Sequence, residues 1–195
     1  MKKIELKVLG LSYSQTQVGS YVIVLSEVDG LRKLPIIIKP AEAQVIALKI
    51  ENMKSPRPLT HDLFKNFSDS FGIDVQEVFI HNVAEGIFYT KLIATNGLDE
   101  AGIECTAGDG IALAITFDCA IFVNESVLNA SGIIMDENGV ASSTKNLPTV
   151  VEEPKKIVSI EDLEHLMREA ESNEEYEIAA EIRDRIKMLK SKQAK

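Results

Sequence analysis

The chain opens on alternation. In KKIELKVLG, residues 2–10, apolar and polar side chains take turns, the period of a strand with one covered face. β-Branched residues then crowd Val18–Ser26, Asp29-Gly30 gives a turn signal, and Leu31–Ile38 returns, which predicts a hairpin. Pro40 and Glu42 suit the first turn of a helix, PAEAQVIALKIENM. Its apolar positions Val45, Ile46, Leu48 and Met53 fit one stripe only loosely, so this helix is expected to be buried on most sides. Prolines hold SPRPL out of helix. Thr60 or Asp62 can cap the helix that follows, with Leu63, Phe64, Phe67 and Phe71 at helical spacing and Gly72 closing it. VQEVFIHNV and IFYTKLIAT read as strands joined by a turn over Asn82–Gly86.

The pattern then repeats. IFYTKLIATNGLDEAGIECT is a hairpin with an Asn96-Gly97 turn, AGDGIALAITFD is a helix, and AIFVNESVLNASGI runs extended and then helical. AQVIALKI at 43–50 and GDGIALAI at 108–115 superpose with IAL in register. The fold class that follows is α+β, a mixed sheet core built from a duplicated hairpin–helix unit. Residues 134–158 lack periodicity and read as a linker. In the tail, Ile160, Leu163, Met167 and Ala170 share one face, and Tyr176, Ala179, Ile182, Ile186 and Leu189 share another. Ser159 can cap the first tail helix, and Ser172 with Glu175 has capping-box spacing for the second. Two short helices cover little of each other's apolar stripe. Residues 159–195 are therefore expected to form a helical hairpin, moving independently of a domain at 1–133, that docks on the core, a second copy or a partner protein through residues 159–190.

Apolar residues make up 45% of the chain and charged ones 26%, enough for a core with a solvated surface. The net charge of −9, with no basic segment, weighs against a duplex-coating scaffold, whose affinity comes from clustered Lys and Arg. It does not weigh against an enzyme whose metal ion supplies the positive charge. No apolar run approaches the roughly 18 residues of a membrane span. Cys105 and Cys119 have no metal or redox spacing and read as reduced core thiols, so a cytoplasmic location without membrane association is expected.

One stretch is unusual: SPRPLTHDL, residues 55–63, places Arg57, His61 and Asp62 at the mouth of a helix in a chain with three histidines. LPIIIKPAEAQVIALKIENMKSPRPLTHDLF resembles the signature segment of the bifunctional nuclease family, and IALAI after Asp109 with AIFVNESVLNASGI resembles its second region. YEIAAEIRDRI in the tail resembles the UvrB/UvrC interaction motif. The resemblance implies nuclease activity on RNA or DNA and carries Glu42, Arg57, His61, Asp62 and Asp109 over as site residues. The family's arginine and serine shortly before the last acid are replaced here by Thr106-Ala107-Gly108. A non-catalytic adaptor or regulator on the same fold is the alternative that this departure favours, and an oligomeric small-ligand module is a third reading.

Phosphodiester hydrolysis needs an activated water and stabilised charge on the phosphate. Glu42, Asp62 and Asp109 could hold Mg²⁺ or Mn²⁺ for both tasks. His61 could act as general base and Arg57 as phosphate clamp. Each acid also has a structural reading, as a helix cap or dipole partner, and His61 one as a hydrogen-bonded structural residue. The expected partners are nucleic acid as substrate and, through the hairpin, another protein or a second copy in a homo-oligomer.

Overall fold

The structure, a computed structural model, describes residues 2–14, 17, 19–135, 141–142 and 160–193. Two three-stranded meanders dominate it. The first is β1 (Lys3–Tyr13), β2 (Tyr21–Glu27) and β3 (Arg32–Ile38), followed by α1 (Pro40–Ile50) and α2 (Thr60–Ser70). The second is β4 (Asp74–Ala84), β5 (Ile87–Thr95) and β6 (Glu100–Cys105), followed by α3 (Ala107–Phe117), β7 (Ala120–Asn124) and α4 (Glu125–Ser131). Two short strands, β8 (Ile133–Met135) and β9 (Ala141–Ser142), and a helical pair, α5 (Ile160–Ser172) and α6 (Tyr176–Gln193), complete the described chain.

All nine described strands join one sheet in the order β6-β5-β4-β7-β1-β2-β3-β8-β9. β7 knits the two meanders together, parallel to β4 and antiparallel to β1, so the sheet is mixed. The turns are where their residues demand them. Gly97 takes φ +87° and the Asn96 side-chain oxygen accepts the amides of Leu98 and Asp99.

The duplication is visible in the fold. α1 and α3 each follow a hairpin, lie against each other and enter one core with Ile23, Leu25, Val78, Ile80 and Leu92. Ile46 and Ile111, equivalent in the two repeats, are both fully buried. Both helices are apolar nearly all round, as a helix sandwiched between other elements must be.

α2 forms where the spacing placed it, as an outer helix. Its apolar face is exposed, and the residues it buries are His61 and Ser68. α1 and α3 already meet the core strands, and α2 rests on α3 as an outer layer, with no sheet beneath it to receive a broad apolar stripe.

The tail departs from expectation. Most of the expected linker lies outside the described residues; Ile134, Met135, Ala141 and Ser142 of it extend the sheet beyond β3. α5 and α6 form the expected hairpin, but Leu163, Leu166, Ala170, Ile182 and Ile186 belong to the same core as β1, β2 and α1. Tyr176, expected in the stripe, faces outward, and Leu166 and Ile178 are buried instead. Polar contacts fix the docking. Asp162 accepts the Tyr13 amide at 2.6 Å, the buried Tyr21 hydroxyl meets Glu169 at 3.2 Å, and Arg185 reaches Glu51 at 2.8 Å. His165 stacks on Tyr13 with ring centroids 4.2 Å apart. The hairpin is thus not an independently moving module, because its apolar stripe is spent on the domain. Leu166→Ala should lower the stability of the whole chain by about 2–5 kcal/mol in one cooperative transition. A separate early transition in chemical denaturation, leaving the meanders folded, would contradict this docking.

Candidate functional site

Three of the five candidate residues meet where α1, α2 and α3 come together. Glu42 is the third residue of α1, and its carboxylate folds back to accept the Lys39 amide at 2.6 Å. Asp109 is the third residue of α3; its amide donates to the Thr106 hydroxyl oxygen at 3.1 Å, and that hydroxyl donates to Asp109 Oδ2 at 2.8 Å. His61, in the first turn of α2, points Nε2 at Asp109 Oδ1, 3.4 Å away. Its Nδ1 is buried with no hydrogen-bond partner among the described residues.

Burial grades the cluster from mouth to floor. The Asp109 side chain is 45% exposed and that of His61 11%, and Glu42 is buried. Glu42 can lie so deep because of Gly108. A Cβ at that glycine would stand 2.4 Å from a Glu42 carboxylate oxygen, so the close approach requires a residue without one. Burial pushes the Glu42 carboxyl above its ordinary range and the charge of Asp109 adds to the rise, while the Lys39 amide and the nearness of His61 oppose it.

The other two candidates lie apart from this cluster. Asp62, the third residue of α2, accepts the Leu59 amide at 3.1 Å with one oxygen and holds Lys49 Nζ at 2.6 Å with the other. Both oxygens serve the helix start and its counterion. Arg57 is exposed on the segment between α1 and α2 and forms no ion pair among the described residues. Sequence reading missed Thr106, Gly108 and Lys49. The T-x-x-D spacing of Thr106 and Asp109 was the one signal available for the first; nothing local announces the other two.

Among the described residues, no three of His, Cys, Asp or Glu gather around a point that could hold a metal ion. With Asp62 engaged by Lys49, the carboxylates left are Glu42 and Asp109. That donor set fits a hydrated Mg²⁺ or Mn²⁺ completed by substrate oxygens, and does not fit a cage made by protein alone. Cys105 and Cys119 are free, and burial pushes both thiols up to about 11, so neither is a nucleophile at neutral pH. No described helix is long and apolar enough to cross a membrane.

Comparison with known proteins gives two matches along the chain. Residues 23–136 match the family described as "Bifunctional nuclease domain", and residues 158–192 match the UvrB/uvrC motif. An uncharacterized protein of Mycobacterium tuberculosis is 34% identical over 140 residues, covering 72% of this chain and 83% of that protein. Proteins named bifunctional nuclease 1 in Oryza sativa subsp. japonica and bifunctional nuclease in Oryza minuta are 27% identical over 184 residues, covering 88% of this chain. The chain spans 56% of the length of each of these rice proteins.

The raised Glu42 pKa makes a prediction with a definite sign. Stability linked to this group is fully present below its ordinary pKa of 4.5 and is lost as pH rises through the higher folded value. Glu42→Gln keeps an oxygen for the Lys39 amide and cannot ionise. The variant should match or exceed the native chain in stability at pH 7, with the advantage vanishing below about pH 4.5. Denaturant titrations across pH 4–8 would show it; a variant less stable at pH 7 than at pH 4, relative to native, would contradict the burial argument.

Proposed function

The chain belongs to the bifunctional nuclease domain family, and on that premise we propose that it hydrolyses phosphodiester bonds of RNA or DNA at the cluster of Glu42, His61 and Asp109. The observation that carries this reading is the meeting of an imidazole and two carboxyl groups, from three separate helices, with one carboxylate left open to solvent.

Asp109 is the group a bound phosphodiester meets first. His61 and Thr106 each hold one of its oxygens, which fixes its direction without using all its lone pairs. In this reading Asp109 takes a proton from the attacking water, whose oxygen bonds to phosphorus as the P–O ester bond breaks. The proton is held between Asp109 and His61 and returned to the leaving oxygen. His61 is too deep to meet substrate directly and acts as a positioning and proton-holding residue behind Asp109. Glu42, whose carboxyl burial pushes above its ordinary range, lies beneath Asp109 and holds the start of α1 through the Lys39 amide. A divalent cation held by Asp109, with Glu42 once ionised, would supply charge stabilisation on the phosphate. Arg57, exposed on the segment leading into α2, is the proposed phosphate clamp.

The UvrB/UvrC-motif hairpin is the proposed protein-interaction element. Its inner stripe is covered by the core, so a partner would meet the outer groove between α5 and α6. That groove, about 390 Å³, is floored by Met167 and Ile186 and rimmed by Arg168, Arg183, Lys190 and Glu164.

The test is a cleavage assay on RNA and single-stranded DNA with Mg²⁺, with Mn²⁺ and with EDTA. Asp109→Asn should lower turnover about 100-fold or more, while its stability stays within about 0.5 kcal/mol of native. Asp62→Asn should retain turnover, because Asp62 serves its helix. A native chain that cleaves nothing above the buffer blank would overturn the enzymatic reading in favour of an adaptor.

A further inference from the structure

The outer groove between α5 and α6 has a charge opposite to that of the chain. Arg168, Arg183 and Lys190 line it against one carboxylate, Glu164, a local charge of +2 where the whole chain carries −9. Glu164 is already engaged, holding Lys190 Nζ at 2.6 Å. That bond fixes the register of the two helices at one end of the groove. Counting from it toward the turn of the hairpin, Arg168 lies one turn along α5, about 6 Å, and Arg183 two turns along α6, about 10 Å. Both arginines therefore stand beyond the neutral Glu164–Lys190 pair. Arg168 donates to the Glu164 carbonyl oxygen at 3.2 Å and forms no ion pair among the described residues. Arg183 pairs with its neighbour Asp184 at 3.6 Å, but those side chains are 67% and 74% exposed, so water screens the pair and it holds the arginine weakly. The apolar floor is half-buried Met167 with buried Ile186.

We propose that this groove takes an acidic helical segment of a partner protein, with an apolar anchor on Met167 and Ile186 and carboxylates directed to Arg168 and Arg183. It rests on the reading of the hairpin as a protein-interaction element and adds the chemistry of the partner. A third helix is the shape that a groove between two helices accepts. The floor is small, so specificity lies in the charges, and association is weak and salt-dependent. The chain's net negative charge does not forbid an acidic partner, because at physiological salt a surface charge is felt over about 8 Å and the cations at the groove are nearest. A nucleic-acid strand would use the cations, but it would leave the apolar floor uncovered and meet Glu164 at the rim.

Fluorescence anisotropy with the full chain and three synthetic helical peptides tests it. The peptides share one apolar stripe and carry Glu, Gln or Lys beside it. The Glu peptide should bind tightest, about tenfold tighter than the Gln peptide, and lose that advantage in about 1 M salt. The Lys peptide should bind weakest. Arg168→Glu combined with Arg183→Glu should reverse the order, with the Lys peptide then tightest; a fold defect would weaken all three and reverse nothing. Equal binding of the Glu and Gln peptides, or an order unchanged by the double substitution, would overturn the acidic partner and leave the hairpin reading standing. Binding of none of the three would overturn the proposal and tell against the hairpin reading as well. Single-stranded DNA that displaces the Glu peptide, or dimerisation of the native chain that excludes it, would give the groove to nucleic acid or to a second copy and would equally overturn the proposal.

Discussion

The packing of α1 against α3 is the constraint from which the rest follows. Both helices are apolar nearly all round, and both are buried between the sheet and their neighbours. A buried helix start still carries amides that need acceptors. Each repeat places an acid at the third helical position: Glu42 accepts the Lys39 amide, whereas in α3 the Thr106 hydroxyl accepts the Asp109 amide and donates to the Asp109 carboxylate. Because the helices pack side by side, the two helix starts are brought together. Two carboxyl groups thus become neighbours, and the imidazole of His61 enters from α2 to complete the group.

Structural and chemical roles are therefore not exclusive at these positions. Asp62 has the same place in α2 and caps as Glu42 does, yet it lies outside the cluster. What separates it from Asp109 is its second oxygen. That of Asp62 is neutralised by Lys49, whereas that of Asp109 faces an imidazole and solvent. The question for an acid at a helix start is where its remaining lone pairs go, and spacing in the sequence does not answer it.

This marks the boundary of what the sequence made legible. Strands, helices and turns could be read from alternation, from Pro40, and from Asn96-Gly97, and the duplication could be read from the IAL register. Those features are local. The orientation of α2 and the docking of the hairpin are not. An apolar stripe shows that a helix has a face to cover, and it is silent on whether the sheet, another helix or another molecule covers it. The phenylalanines of α2 and the leucines of α5 carry equivalent patterns; one set is exposed and the other buried. The deciding quantity is how much core surface is left open once α1 and α3 are in place. The family resemblance brought Glu42, His61 and Asp109 forward as a set, which spacing alone would not have done. It brought Asp62 forward with equal weight, because a motif records residues without their counterions.

The duplication is imperfect at one point, and that imperfection confines the cluster to a single place. After α1 the chain leaves through the proline-bracketed segment and returns as α2, delivering His61 to the helix starts. After α3 it passes directly into β7, which is needed in the middle of the sheet to join the meanders. The helix that follows in the second repeat, α4, comes after β7 and packs on β3, β4 and β7, so it brings no second histidine to the α1–α3 junction. Had both repeats ended as the first does, the sheet would lack the strand that links β4 to β1, and the two meanders would share only their helices. The strand that makes one domain of two repeats is thus also what leaves one imidazole serving two carboxyl groups. It fixes the asymmetry of the cluster as well, with Asp109 at the mouth and Glu42 beneath.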